Sequence, residues 1–165
     1  MSALTDALKA LPRQPLGHLP TPLEPLPRLS RALGGPKLLV KRDDCTGLGL
    51  GGNKTRKLEF LLAEALARGA DTVIPTGGVQ SNHVRQTAAA AAKLGLACEL
   101  VLTRVVPWGG PDYELSGNIQ LDRLFGASPG LAAPVYRLSK DAKAGMARRE
   151  VLPPITIGPE QVPAQ

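Results

Sequence analysis

The chain has 165 residues, 43% of them apolar, which is the length of about one domain with enough apolar side chains for a core. Its net charge of +6 is spread among interspersed acids, several basic residues (Arg137, Lys140, Lys143, Arg148, Arg149) fall in the last quarter, and aromatics make up only 3%, a balance that reads as solubility and argues against nucleic-acid binding. Cys45 and Cys98 lie far apart without CxxC spacing, and no stretch builds a signal or membrane-spanning segment, so a soluble cytoplasmic protein with no disulfide framework, metal site, nucleic-acid or membrane partner is expected.

Prolines 12, 15, 20, 22, 25 and 27 crowd residues 11 to 30; they deny helix and predict an extended arm laid over a larger body. Lys37 to Lys41 reads as a strand. Thr55 to Arg68 reads as a helix with Leu58, Leu61, Leu62, Ala65 and Leu66 on one face and Gly69 after its end. Thr72 to Thr76 is the next predicted strand, His83 to Leu94 an Ala-rich helix stopped by Gly95, and Cys98 to Thr103 a third strand. Residues 105 to 114 read as a loop, and a helix follows from about Gly117 to Phe125. This alternation predicts an α/β fold, a parallel sheet with flanking helices. From Ser128 onward the prolines at 129, 134, 153, 154, 159 and 163 predict a poorly ordered tail, with a short strand conceivable over Val151 to Ile157.

Two glycine-started loops carry the functional signal. Gly51-Gly52-Asn53-Lys54-Thr55-Arg56-Lys57 precedes the first helix and Gly77-Gly78-Val79-Gln80-Ser81-Asn82-His83 the second; both are expected to follow parallel strands and so to lie at the same carboxyl edge of the sheet, where open α/β folds bind ligands. Glycines admit a ligand close to the backbone, and the free N–H groups of a helix start favour an anion while disfavouring an ammonium, the condition for a lysine that attacks carbonyl groups. Gly47, Gly49 and Gly52 also match a dinucleotide fingerprint, but the acid that should end the next strand is missing: that end is Pro75-Thr76. Asn53 before Lys54 rules out a phosphate-binding P-loop. Ser81 and Asn82 are also good helix caps, His83 a possible satisfied first-turn histidine, Arg56 a solvated helix-face residue and Tyr113 a loop anchor.

The runs Lys41-Arg42-Asp43-Asp44-Cys45, GLGLGGNKTRKLEF, TGGVQSNHVRQTAAAAAKLG and SGNIQLDRLFGA together resemble the amino-terminal half of the pyridoxal-phosphate enzymes comprising D-cysteine desulfhydrase and 1-aminocyclopropane-1-carboxylate deaminase. The resemblance runs from about Leu16 to Ala127. It implies a tryptophan synthase beta-subunit-like (fold type II) architecture, here incomplete, with residues 1–127 as the amino-terminal part of that fold and 128–165 as a divergent tail. It also implies that Lys54 joins the aldehyde of pyridoxal 5'-phosphate, Lys57 lies near its phosphate and Asn82 binds its 3′-oxygen. Ser81 would act on the substrate carboxylate or at the reacting carbon, flanked by Gln80 and His83.

His83-Val84 is more similar to the desulfhydrase branch, where the deaminase branch more often has Gln. The implied activity is β-elimination of D-cysteine to pyruvate, ammonia and hydrogen sulfide, by a homodimer acting on a small amino acid. The alternatives are an aminocyclopropane carboxylate deaminase, a truncated inactive homologue and, remotely, a dinucleotide-binding module.

Overall fold

The computed structural model describes residues 3–107 and 110–131. Helix α1 (Ala3–Ala10) is followed by a strap that carries β1 (Leu23–Pro25), α2 (Pro27–Leu33) and β2 (Leu39–Lys41). The main body then runs α3 (Lys54–Ala67), β3 (Thr72–Val73), β4 (Thr76–Gly78), α4 (Asn82–Leu94), β5 (Ala97–Thr103), α5 (Pro111–Leu115), α6 (Asn118–Leu124) and β6 (Ser128–Leu131).

The parallel sheet has β5 at its centre, with β3 and β4 along one edge and β6 along the other. The strand expected over Thr72 to Thr76 is divided because Pro75 has no N–H to give the ladder. Its register is unbroken all the same: Thr72 faces Ala97, Thr76 faces Val101, and Val101 N–H donates to the Pro75 carbonyl at 3.0 Å. Alternate residues of β5, Cys98, Leu100 and Leu102, are buried against α4, as a period of two requires.

Helices α3 and α4 pack against each other through Leu58, Leu62, Val84, Ala88 and Ala91, all but excluded from solvent, and Ile119 of α6 closes the cluster. Burying a leucine such as Leu58 contributes about 1.5–3 kcal/mol.

Several expectations need correction. The strand expected over Lys37 to Lys41 forms only as Leu39–Lys41, and it is not part of the parallel sheet: it pairs antiparallel with β1, Leu23 opposite Lys41. Both strands of this ribbon are largely solvated, and pairing with the proline-rich strap supplies their backbone hydrogen bonds.

The strap is extended through residue 22, where Gln14 N–H donates to the Glu59 carbonyl at 2.8 Å, and buried Glu59 accepts from Leu16 N–H at 3.0 Å and Arg13. It is not without helix. Pro27 occupies the first position of α2, where its missing N–H costs nothing. The loop expected over 105 to 114 contains the start of α5, which also begins on a proline. Ser128–Leu131 extend the sheet beyond the expected boundary at 127, pairing parallel with β5. The segment Val151 to Ile157 lies outside the described residues.

Candidate active site

Helix α4 begins as the sequence predicts. β4 ends at Gly78, Ser81 N–H donates to the Gly78 carbonyl at 2.9 Å, and Ser81 caps the helix by accepting from Val84 N–H at 3.3 Å. The capping role of Ser81 is thus real, and its hydroxyl proton has no partner among the described residues. The next residue, Asn82, is exposed; its Oδ1 accepts from Asn118 Nδ2 at 3.0 Å and Arg85 Nη2 at 3.3 Å, leaving Nδ2 without a partner among the described residues.

The loop before α3 reaches the same place by a different route. No strand of the parallel sheet feeds it; two 3-10 turns, Asp43–Thr46 and Leu48–Leu50, do. The context of a dinucleotide fingerprint is therefore missing. What brings Lys54 to the start of α4 is α4 itself. Arg85 Nη1 donates to the Gly51 carbonyl at 2.8 Å and also to the Gly49 carbonyl. Gln86 Oε1 accepts from both the N–H and the hydroxyl of Thr55, each at 3.1 Å, while its Nε2 donates to the Asn82 carbonyl at 3.0 Å.

The approach is close enough to demand glycine. A Cβ on Gly51 (φ +77°) would lie 1.8 Å from the Asp44 carbonyl oxygen, and one on Gly52 (φ +136°) 2.4 Å from Gln86 Nε2. Thr46, fully buried, holds the strand of backbone from below, its hydroxyl donating to the Gly52 carbonyl at 2.9 Å and accepting from Gly52 N–H at 2.8 Å.

Lys54 is the first residue of α3, half-buried, with Nζ donating to Asn53 Oδ1 at 3.1 Å. Lys57, one turn on, is also half-buried; loss of solvent, then the neighbouring Lys54 charge, lowers its pKa. His83 faces the same two lysines. Burial first, and then Lys57 and Lys54, push its imidazole down to about 4, so it is neutral at pH 7. The Thr87 hydroxyl donates its one proton to the His83 carbonyl at 2.8 Å, so the 3.4 Å contact between Thr87 Oγ1 and His83 Nδ1 has Nδ1 as donor. Nε2 then carries the lone pair.

Gln80 has a different task from its neighbours. Its Nε2 donates to the carbonyls of Tyr113 at 2.6 Å and Ser116 at 3.0 Å, and its Oε1 accepts from Asn118 N–H at 2.8 Å. The whole carboxamide is employed in tying the α4 loop to α5 and α6, where the sequence suggested a pocket-flanking residue. Tyr113 is half-buried against the core. Arg56, expected on a solvated face, forms a bidentate pair with Asp43 (2.6 and 2.8 Å); with the Thr21 hydroxyl it holds Asp43 down at about 2.

Sequence reasoning missed Arg85, Gln86, Asn118 and Asp122. Arg85 and Gln86 stand three and four residues after Asn82, on the same helical face, which is the signal that could have found them. Asp122 is fully buried, and among the described residues neither of its oxygens has a hydrogen-bond partner. Burial raises its pKa to about 6, partly opposed by the Arg85 charge.

The donor set suits pyridoxal phosphate. Two lysine amines that act on His83, and the Ser81 hydroxyl proton, the Asn82 N–H pair and the first N–H groups of α4, lie on two helix starts that Arg85 and Gln86 join, and no carboxylate pairs with either lysine among the described residues. An aldehyde, a phosphate and an ionised ring oxygen are the groups such donors hold. Among the described residues no group of His, Cys, Asp or Glu could hold a metal ion, and Cys45 and Cys98 are free thiols, exposed and buried respectively.

A parallel α/β sheet with a lysine loop joined to a capped helix start defines the class, a fold type II pyridoxal-phosphate enzyme. Residues 15–150 match the family described as "Pyridoxal-phosphate dependent enzyme", and the chain belongs to it. Within that family it is 56% identical over 128 residues to the 1-aminocyclopropane-1-carboxylate deaminase of Burkholderia ambifaria (strain MC40-6) and 55% identical to that of Burkholderia vietnamiensis (strain G4 / LMG 22486). Each alignment covers 76% of this chain and 38% of the relative, so the chain spans well under half the length of these proteins. A solved structure titled "Crystal Structure Analysis of the ACC deaminase homologue" superposes with a TM-score of 0.75 at 41% identity, over 92% of this chain and 47% of the other. No helix among the described residues is long and apolar enough to cross a membrane.

Proposed function

We propose that these residues are the lysine side of an active site that cleaves a small α-amino acid to ammonia and a 2-oxo acid, with D-cysteine as substrate and pyruvate, ammonia and hydrogen sulfide as products. The observation that carries the reading is the convergence of Lys54 with the start of α4 through Arg85 and Gln86. Pyridoxal phosphate, when bound, supplies an aldehyde that joins amines and a ring that draws electrons from the bonds at Cα.

Lys54 would hold that aldehyde, and its free amine would serve as the base that takes the Cα proton. Lys57 would balance the cofactor's phosphate, and Asn82 Nδ2 would donate to its ring oxygen. The Ser81 hydroxyl and the first N–H groups of α4 orient the substrate carboxylate, which fixes the face of Cα turned to Lys54 and hence the stereochemistry. Neutral His83 adds no charge to this end of the site and offers Nε2 as a proton acceptor. A homodimer in the cytoplasm is the assembly we propose for the whole enzyme.

Ring opening of 1-aminocyclopropane-1-carboxylate to 2-oxobutanoate and ammonia is the second reading, supported by the names of the relatives. His83 supports the first. A third outcome, a fragment without turnover, is kept in view by the share of the relatives' length that the chain spans.

The test is to add pyridoxal phosphate, reduce with borohydride, digest and locate the adduct by mass spectrometry, then assay both substrates. Modification at Lys54 that Lys54→Ala removes, with sulfide from D-cysteine, is expected. Modification elsewhere or nowhere refutes the reading, and 2-oxobutanoate without sulfide transfers it to the deaminase.

A further inference from the structure

The side chains around Asn82 form a chain of hydrogen bonds whose polarity is fixed at both ends. A guanidinium can only donate, and a backbone carbonyl can only accept. Asn118 sits between one of each: its Oδ1 accepts from Arg85 Nε at 3.3 Å and its Nδ2 donates to the Gln80 carbonyl at 2.8 Å. Turning that amide over would set carbonyl against carbonyl and N–H against N–H. Its orientation is therefore decided, and its remaining N–H points at Asn82, 3.0 Å away. Arg85 Nη2 approaches the same Asn82 atom at 3.3 Å. With two donors converging on it, that atom is Oδ1, and Asn82 turns its Nδ2 to the open side. Arg85 is itself held, 7% exposed, by the Gly49 and Gly51 carbonyls of the Lys54 loop.

We propose that Arg85 and Asn118 are positioning residues that lock the Asn82 amide with its donors outward, so that the site accepts only a ligand with a hydrogen-bond acceptor at that position, the ionised ring oxygen of the cofactor. This rests on the reading that pyridoxal phosphate joins Lys54. The Arg85 guanidinium links the two halves of the recognition. It fixes the carbonyls one turn before Lys54 and the amide at the start of α4 with one planar group, which a lysine ammonium does not reproduce.

The experiment is a binding cycle on this chain with two probes, pyridoxal 5′-phosphate and its 3-deoxy analogue, read by absorbance titration and by borohydride trapping at Lys54. Asn118→Ala is expected to weaken pyridoxal phosphate about tenfold, the size of a hydrogen bond to a charged oxygen, and to leave the 3-deoxy analogue unchanged. Asn82→Ala should show the same pattern, and the double variant should lose no more than Asn82→Ala alone.

Arg85→Lys should weaken both probes, since it also releases the Lys54 loop, but pyridoxal phosphate more. If Asn118→Ala does not fold, Asn118→Asp keeps the shape and a charge partner for Arg85; facing Asn82 with acceptors only, it should cost pyridoxal phosphate more than tenfold and the analogue less. Equal losses for both probes in the Asn118 variants, or losses that multiply in the double variant, overturn the proposal. If the unaltered chain forms no adduct at Lys54, the reading of the site itself falls and the proposal with it.

Discussion

The start of α4 is capped by its own chain, with Gln80 bracing the turn against α5 and α6, whereas the start of α3 has no cap of its own and is held by another helix. Gly78, Ser81 and Val84 supply the α4 start from within one short run of chain, residues 78 to 84, strand into cap into helix. The α3 start has no such local logic: Asn53 makes no side-chain cap, Gly49 to Gly52 all take positive φ, and Leu50 among them, at +69°, stores about 1 kcal/mol of strain that a leucine would not accept alone. Arg85, Gln86 and Thr46 offset this by satisfying the loop's carbonyls and N–H groups. The cap of α4 is therefore encoded by sequence neighbours, whereas the α3 start needs Arg85 and Gln86, more than thirty residues away, beside the nearby Thr46. A reactive lysine gains from the second arrangement, because its position is then tied to the helix that binds the rest of the ligand.

The comparison breaks most readily at Gly51. Gly51→Ala places a Cβ inside the Asp44 carbonyl and forces a positive φ on alanine; a loss of about 3 kcal/mol or more is expected in denaturant melts, together with loss of trapping at Lys54. Gln86→Leu keeps the volume but strands the Thr55 N–H and hydroxyl, buried donors that now share one acceptor. About 2 kcal/mol of destabilisation should appear, with hydrogen exchange accelerated at the start of α3 rather than α4. Ser81→Ala tests the self-contained turn: about 1 kcal/mol is the cost of a lost cap, and exchange should quicken at Val84 while the α3 start stays protected. If instead Ser81→Ala loosens both starts equally, the two turns are not built differently.

The smallest effect is a pH dependence. Asp122 has a folded-state pKa raised to about 6, so the folded chain binds its proton more tightly than the unfolded one, and this contribution to stability is lost as pH rises from about 4 through 6. His83, lowered to about 4, works in the opposite sense: its contribution is lost as pH falls from about 6.5 to 4. The two slopes oppose each other in the unaltered chain. Asp122→Asn removes one of them, and unfolding free energy measured between pH 4 and 6.5 should then rise with pH more steeply than before. An unchanged slope would mean that Asp122 finds a partner when the chain is in solution.

Much of the body was legible from pattern. The leucine spacing of α3, the alanine run of α4 with Gly95 behind it, and the alternation of β5 each report a local period, and each element formed within a residue or two of expectation. The first glycine loop misled because a strand-like run, Leu39 to Lys41, precedes it; the run is a strand, but its partner is the proline strap and not the sheet. Likewise Lys54, Ser81 and Asn82 stand out by residue type and position, while Arg85, Gln86 and Asn118 carry ordinary polar identities that become informative only when buried.

By itself the sequence determined the α/β alternation, the two glycine-rich helix starts and the chemical groups offered at each, since these depend on side-chain period, capping and residue type, all local properties. The tertiary structure alone decided by which contacts the two starts meet, which way the Asn82 amide faces and that Gln80 serves as a strut. Those outcomes depend on hydrogen-bond partners about thirty residues or more apart, and no periodicity in the chain records which distant donor will find which acceptor.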